Sequence, residues 1–421
     1  ETGEKLGKID KLLATVKIED LYALNLQRNI NLQDLRMEGV ELWVTFDDQG
    51  RTNFRNISIP PPEPNRRILF AYAAATIEIK NGVVHYGDAR HDISGEGRNL
   101  QLNLQPDKPD VPIGTRMTSV QFSVSNSTFS YDGRPINDID IQAQGRFNQE
   151  RAEIYQLALK SPVAEAKMNG VMDDWRALHY TMNVTSSVDL TQLSDTLQSG
   201  TTLRGAGNFS GTITGAGDQF KLNGQMQSDA LAADNLRLQG LNVSAAGSVQ
   251  GKSYEINGKA VADLLNAGDF QLDSLQIAGN VMGTGTNFRW IGELRAVAEK
   301  SYGTTMTGLI LHDARAEMNE GVLNARSSQF TANGLSAGGA KVNGITASNL
   351  QFKNQNNVTT GSIASVKAGN VTASGAQVKG VTANNVDITN RDGVTSVVVK
   401  DVQVGATSAA GAEIGSLNIA G

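Results

Sequence analysis

The segment Lys341-Val342-Asn343-Gly344-Ile345-Thr346-Ala347-Ser348-Asn349 returns hardly altered as Gln377-Val378-Lys379-Gly380-Val381-Thr382-Ala383-Asn384-Asn385, an offset of 36 residues (341 to 377). Aligning Ala337–Asn357 with Ala373–Gly393 keeps Ala, Gly, Val, Thr and Asn in register, with Ile345/Val381, Leu350/Val386 and Phe352/Ile388 as like-for-like exchanges. A repeat of this length, made of β-branched residues, Gly and Asn, specifies a stacked array of strands and disfavours a compact enzyme. Such an array has length and surface, so function is expected along the surface and not in one pocket.

At 421 residues the chain exceeds the size at which a single core keeps growing, so it is several domains or a quasi-linear structure. With Gly 44 against Pro 9 and aromatics at 5%, it has many tight turns and few bulky core anchors. Hydrophobic content of 39% is low without reaching disorder. A net charge of −6 argues against a global electrostatic fit to nucleic acid or anionic lipid heads. Cys 0 removes disulfides, thiol chemistry and cysteine metal sites, and suits an oxidising compartment. No apolar stretch is long enough to cross a bilayer as a helix. Glu1-Thr2-Gly3 looks like a vector remnant, and Gly421 falls inside a repeat, so a longer parent protein is expected.

Strict alternation dominates. Val40, Leu42, Val44 and Phe46 share one parity before the turn at Asp47-Asp48-Gln49-Gly50. Ile77 and Ile79 lead into Asn81-Gly82, a type I′ hairpin signal, with Val84 and Tyr86 beyond it. Leu100, Leu102 and Leu104 alternate with polar residues; Val120, Phe122 and Val124 precede Asp132-Gly133, and Ile139, Ile141 and Ala143 follow it. Phe220, Leu222 and Met226 repeat the pattern. One apolar and one polar face per strand argues for antiparallel or solenoid sheets. Ile59–Pro64 cannot pair as a central strand and is a linker or crossing loop. Val188–Gln198, with Leu190, Leu193 and Leu197, is the one amphipathic helix expected, closed by Gly200. Parity slips between Leu238 and Leu241, which implies a bulge or short turn at Gly240. Beyond about residue 330 aromatics nearly vanish and small residues take over, which suits thin, closely approaching sheets.

Catalytic chemistry is hard to assemble. His85 and His91 flank Asp88 and Asp92 in what is best explained as a polar turn, since the spacing matches no ligand pattern. His312-Asp313 is placed at a strand end with no nucleophile nearby, and no Gly-x-Ser-x-Gly elbow exists. Gly247–Ser253 is one residue short of a phosphate loop and lacks the following helix. Gly205-Ala-Gly207 and Gly215-Ala-Gly217 are expected to be turns. The sequons at Asn56, Asn126, Asn183, Asn208 and Asn242 follow from composition, and Arg66-Arg67 from a solvated loop.

Two stretches resemble a known family. Arg36–Phe54, ending in Gly50-Arg51-Thr52-Asn53, is followed by the proline break and then by Ile77-Glu-Ile-Lys-Asn-Gly-Val-Val-His-Tyr-Gly-Asp88. This order is similar to the strand, Gly-Arg-x-Asn turn, proline break and Ile-x-Asn-Gly-x-x-x-Tyr-x-Asp strand of the AsmA/TamB superfamily of bacterial envelope proteins. Val188–Leu193, Leu203–Gly207 and Ser210–Gly215 resemble the same proteins' helix-then-glycine-strand unit. The likeness covers residues 15–225 well and 226–300 loosely; the aromatic-poor tail departs from it.

The resemblance implies an all-β fold, an elongated, twisted β-taco or solenoid-like sheet with an apolar trough and at most one or two short helices. It divides the chain into residues 1–3 as remnant, 4–300 as the β-taco region and 301–421 as a truncated Ala/Val/Gly-rich β repeat region. It also implies phospholipid binding and transfer along a hydrophobic groove between inner and outer membranes, with no enzyme activity, cofactor or metal. The expected setting is the bacterial periplasm, with inner-membrane anchoring through segments outside this sequence. The expected partners are a phospholipid or other acyl-chain ligand and an outer-membrane protein, and no nucleic acid. Candidate groove-lining residues are Val40, Leu42, Val44, Phe46, Ile77, Ile79, Leu100, Leu102, Leu104, Val120, Phe122, Val124, Ile139, Ile141, Phe220 and Leu222. The alternative is a secreted β-solenoid scaffold or adhesin without lipid, in which these residues are plain core; a carbohydrate-active β-helix would need an Asp/Glu cluster that is not found.

Overall fold

A computed structural model describes residues 6–19, 28–49, 51–53, 68–71, 76–90, 92–107, 115–148, 150–174, 179–197, 202–217, 219–356, 358–391, 394–409 and 412–420. Ile59–Pro64, Arg66-Arg67, Asn56, His91 and Gly200 lie outside them. The chain divides into two units: Glu1–Gly200 with Asn208–Gly217, and Thr201–Gly207 with Asp218–Gly421. The expected boundary between residues 300 and 301 falls inside the second unit.

Unit 1 contains β1 (Gly7–Glu19), β2 (Arg28–Phe46), β3 (Ile68–Ala71), β4 (Thr76–Asp88), β5 (Ile93–Pro106), β6 (Thr118–Tyr131), β7 (Arg134–Phe147), β8 (Ala152–Lys160), β9 (Ala164–Asp174), β10 (His179–Asp189) and α1 (Leu190–Leu197). β11 (Leu203–Ala216) is shared between the units. The sheet is antiparallel except where β2 runs parallel to β3 and β4. The helix begins where Asp189 caps it: its carboxylate accepts hydrogen bonds from the Gln192 backbone N–H at 3.0 Å and the Gln192 side-chain amide at 3.1 Å.

A row of residues with left-handed backbone crosses this sheet: Gly39 (φ 63°), Asn81 (52°), Asn99 (50°), Asn126 (52°) and Asp138 (56°). Each lies inside a strand and bends it, and the parity of the apolar residues switches there, as from Ile79 to Val84; the ladder shifts register locally beside Asn81 and Asn126. Asn81-Gly82 is therefore not the hairpin expected from its sequence, because β4 continues through it to Asp88. Type I′ turns and these bends demand the same positive φ, so the dipeptide does not distinguish them. At Gly39 a Cβ would lie 2.3 Å from Oδ2 of Asp10 on β1, so a side chain there requires Asp10 to move aside. Asp132 (φ 51°) and Gly133 (69°) do form the expected turn between β6 and β7.

Unit 2 contains β12 (Gln219–Ala233), β13 (Leu236–Gln250), β14 (Ser253–Ala267), β15 (Phe270–Thr284), β16 (Asn287–Ser301), β17 (Thr304–Asn319), β18 (Val322–Ala337), β19 (Ala340–Gln355), β20 (Val358–Ala373), β21 (Ala376–Arg391), β22 (Val394–Val404), β23 (Thr407–Ala409), β24 (Ala412–Ile414) and β25 (Leu417–Ala420). From β12 to β22 each strand pairs antiparallel with the next. Two strands of 16 residues and their two-residue turns account for the repeat of 36 in β17–β21. In that region Gly308, Gly344 and Gly380 are left-handed, as are Asp313, Asn349 and Asn385 five residues on.

The periodicity does not stop at β17. β12–β16 have 15 residues each, and Gly240 (φ 61°), Ser274 (53°) and Gly308 (62°) carry the same left-handed bend at intervals of 34 (240 to 274 to 308). At Gly240, where a bulge or short turn was expected, the strand bends with its ladder in the same register on both sides. At the other end the pairs Ser365↔Asn384 and Val371↔Val378 recur, shifted by 36, as Asp401↔Ala420 and Thr407↔Ile414. His312-Asp313 sits inside β17, not at a strand end, and Gly205, Gly207 and Gly215 lie inside β11; only Gly217 is a turn.

Burial concentrates beside the bends. Val40 (2%), Leu100 (3%), Val124 (5%) and Ile79 (6%) form one cluster in unit 1; Ala262 (2%), Ala296 (4%), Leu275 (5%) and Leu272 (8%) form one in unit 2. No described side chain is fully buried. Each unit is an open sheet creased along its bends, all-β as expected, with its apolar face only half covered.

Candidate functional site: the apolar sheet faces

Strand register turns separate alternations into continuous rows. In unit 1, Leu12, Met37, Ile79, Leu102, Phe122, Ala143, Leu157, Met168 and Val184 stand opposite one another in turn across nine strands. Two residues along, or three on β8 where the register shifts between Ile154 and Leu157, runs a second row, Ala14, Leu35, Ile77, Leu104, Val120, Gly145, Ile154, Gly170 and Met182. Side chains two apart in a strand share a face, so these rows form one apolar strip.

The predicted residues fall on this strip and its crease. Ile79, Leu102 and Phe122 share the first row, and Ile77, Leu104 and Val120 the second. Val40, Leu100, Val124 and Ile139 are buried at the crease; Leu42 and Ile141 pack against them. Val44 lies beyond it opposite Tyr86, whose ring is tilted against Phe46 at 6.0 Å. Asp88 is 5% exposed and pairs with Arg90 at 2.7 Å; Arg90 also covers the Phe46 ring. Hydrogen bonding to Asp88 raises the Arg90 pKa, so this contact stays charged.

Phe220 and Leu222 belong to unit 2 and begin rows of their own. Leu222 leads through Gly247, Ile256, Val281, Trp290, Ala316, Ala325, Phe352, Gly361 and Ile388 to Val397. Phe220 leads through Val249, Tyr254, Gly283, Phe288 and Met318 to Leu323. Aromatics lie over glycines opposite them: a Cβ on Gly283 would be 2.6 Å from the Tyr254 hydroxyl, and one on Gly361 2.6 Å from Phe352 Cδ1. Met37, Leu157, Met168, Ile256, Val281 and Trp290 were not singled out from sequence. Their alternation is visible there, but register across strands is not.

Ion pairs mark the polar faces. His85 stacks on Trp43 at 4.9 Å and bridges Glu41 (3.0 Å) and Glu96 (3.4 Å). His312 meets Glu293 at 3.4 Å. Among the described residues no group of three His, Asp or Glu is placed to hold a metal ion. A cavity of about 370 Å³ on unit 1 is lined by Gln101, Asn103, Gln121, Gln142 and Gln144 together with Ile79, Leu102, Phe122 and Ala143 of the first row.

No protein-family model, no curated protein and no solved structure matches this chain.

Proposed function

We propose that this protein binds phospholipid through its acyl chains and transfers it along the apolar sheet face within a bacterial envelope, supporting the supply of lipid to the outer membrane. The observation that carries the reading is the pair of apolar rows across nine strands of unit 1, most of whose side chains the sheet leaves partly exposed, Ile79 and Val184 being buried. Contiguous exposed apolar surface of this extent marks an interaction site for membrane, ligand or partner. Rows that cross strand after strand suit a long, featureless, flexible chain better than a compact polar molecule.

The energetics agree. Each methylene removed from water is worth about 0.8 kcal/mol, so an acyl chain laid over about ten of them gains about 8 kcal/mol without a polar contact. No directional group has to grip the chain, and sliding along the row costs little. The role requires no catalytic residue or cofactor. The likeness of Arg36–Phe54 and Ile77–Asp88 to AsmA/TamB proteins supports the envelope setting.

The test is to purify the protein without detergent, extract it with organic solvent and identify lipids by mass spectrometry. Phospholipid in stoichiometric amount is expected. A lipid-free protein that also fails to take up phospholipid from vesicles overturns the proposal.

A further inference from the structure

The polar face of unit 2 carries a charge arrangement that the apolar rows do not explain. Arg315 on β17 stands directly opposite Arg326 on β18. Directly opposed residues have Cβ atoms about 4.5–5.5 Å apart, and like charges so placed destabilise a sheet. One pair along, Lys353 on β19 lies opposite Asn324, and Arg326 itself faces Gln351.

Carboxylates of these strands have other partners: Asp313, two residues before Arg315, accepts the Ser328 hydroxyl at 2.8 Å. Glu317 pairs with Arg289 at 3.3 Å, and Glu293 holds both Arg295 and His312. Arg289 Nε is buried and makes no hydrogen bond, so even its contact with Glu317 is electrostatic only. Among the described residues Arg315, Arg326 and Lys353 form no ion pair. Three uncompensated cations thus gather on a chain of net charge −6.

They border a cleft of about 550 Å³ lined also by Asn324, Gln351, Thr360, Ser362 and the Glu317 carboxylate that pairs with Arg289. We infer that this cleft is an anion site that takes a phosphate group. Two guanidinium groups facing each other offer planar paired donors that match phosphate oxygens, and the bound anion cancels their repulsion. Lys353 adds a point charge, and the amides and hydroxyls supply further donors. Arg315, Arg326 and Lys353 alternate along their strands with Ala316, Ala325 and Phe352 of the Leu222 row, and Ala325, Phe352 and Gly361 of that row also line the cleft. The phosphate comes either from a soluble phosphate compound or from a lipid head group.

The experiment compares the full chain with Arg326→Gln and Arg315→Gln, using inorganic phosphate against sodium chloride of equal ionic strength. Thermal unfolding and calorimetric titration are the readouts. Phosphate is expected to raise the melting temperature of the unsubstituted protein beyond the chloride control. Arg326→Gln is expected to melt higher in the absence of phosphate, through relief of repulsion, and to bind phosphate at least about tenfold more weakly. An unchanged phosphate response in both variants, or an equal response to chloride, overturns the inference. Flotation with phosphatidylglycerol vesicles but not phosphatidylcholine vesicles, lost in Arg326→Gln, assigns the phosphate to a head group; phosphate binding without flotation assigns it to a soluble compound.

Discussion

Asn349 and Asn385 occupy equivalent positions in β19 and β21, 36 residues apart, and both turn the backbone through left-handed φ, 50° and 52°. Gly344 and Gly380 do the same five residues earlier (φ 67° and 84°). The repeated sequence is therefore a repeated pair of bends, carried on a unit whose length two 16-residue strands and their two-residue turns set.

Asn349→Val tests this directly. A β-branched side chain cannot adopt left-handed backbone without strain, so a loss of about 1–2 kcal/mol is expected in denaturant unfolding. Asn349→Gly is expected to be nearly neutral, because glycine pays no Cβ penalty there. Equal effects of the two substitutions would mean that the bend is not what Asn349 supplies.

The crease should also hold most of the packing energy. Leu100 is 3% exposed between Val40, Ile79 and Val124, so Leu100→Ala is expected to cost about 2–5 kcal/mol. Tyr155, 58% exposed on β8, is expected to tolerate Ala within about 0.5 kcal/mol. Midpoint shifts in urea unfolding distinguish the two.

Asp47 closes the turn after β2. Its carboxylate accepts the Arg51 backbone N–H at 2.9 Å, the Arg51 Nε–H at 2.7 Å and the Gln49 N–H at 2.9 Å. These bonds, the Arg51 backbone bond foremost, hold its pKa down to about 2 from an ordinary 3.8. A depressed carboxyl stabilises the turn fully above the unfolded value and loses that contribution as pH falls through about 2. A carbon-13 titration of the Asp47 carboxyl is expected to show a midpoint near 2; a midpoint near 3.8 would contradict these hydrogen bonds.

Phe122 and Gln121 are neighbours on opposite faces of β6. Phe122→Lys places a charge in the first apolar row and is expected to lower bound lipid severalfold, with the far-ultraviolet circular dichroism of the sheet retained. Gln121→Lys is expected to leave lipid content unchanged.

Strand identity was legible in the sequence because apolar and polar residues alternate along nearly every strand, as in Leu100–Gln105. The parity slip at Gly240 revealed its bend for the same reason, and Leu190, Leu193 and Leu197 revealed the helix. Asn81-Gly82 misled because hairpins and bulges make the same demand on φ. The upstream periodicity was hidden because the bend residue changes from Gly240 to Ser274 to Gly308 while its conformation persists. The rows could not be read either. That Phe122 faces Leu102 and Ala143 depends on register, which the bulges set and which no single strand contains.

The most direct measurement is site-specific photo-crosslinking in cells, with the photoreactive residue placed at Leu102, Phe122, Gln121 or Ser123. The account predicts phospholipid adducts from Leu102 and Phe122 and none from Gln121 or Ser123. Adducts distributed equally over both faces, or absent from Leu102 and Phe122 while lipid is bound, would contradict it.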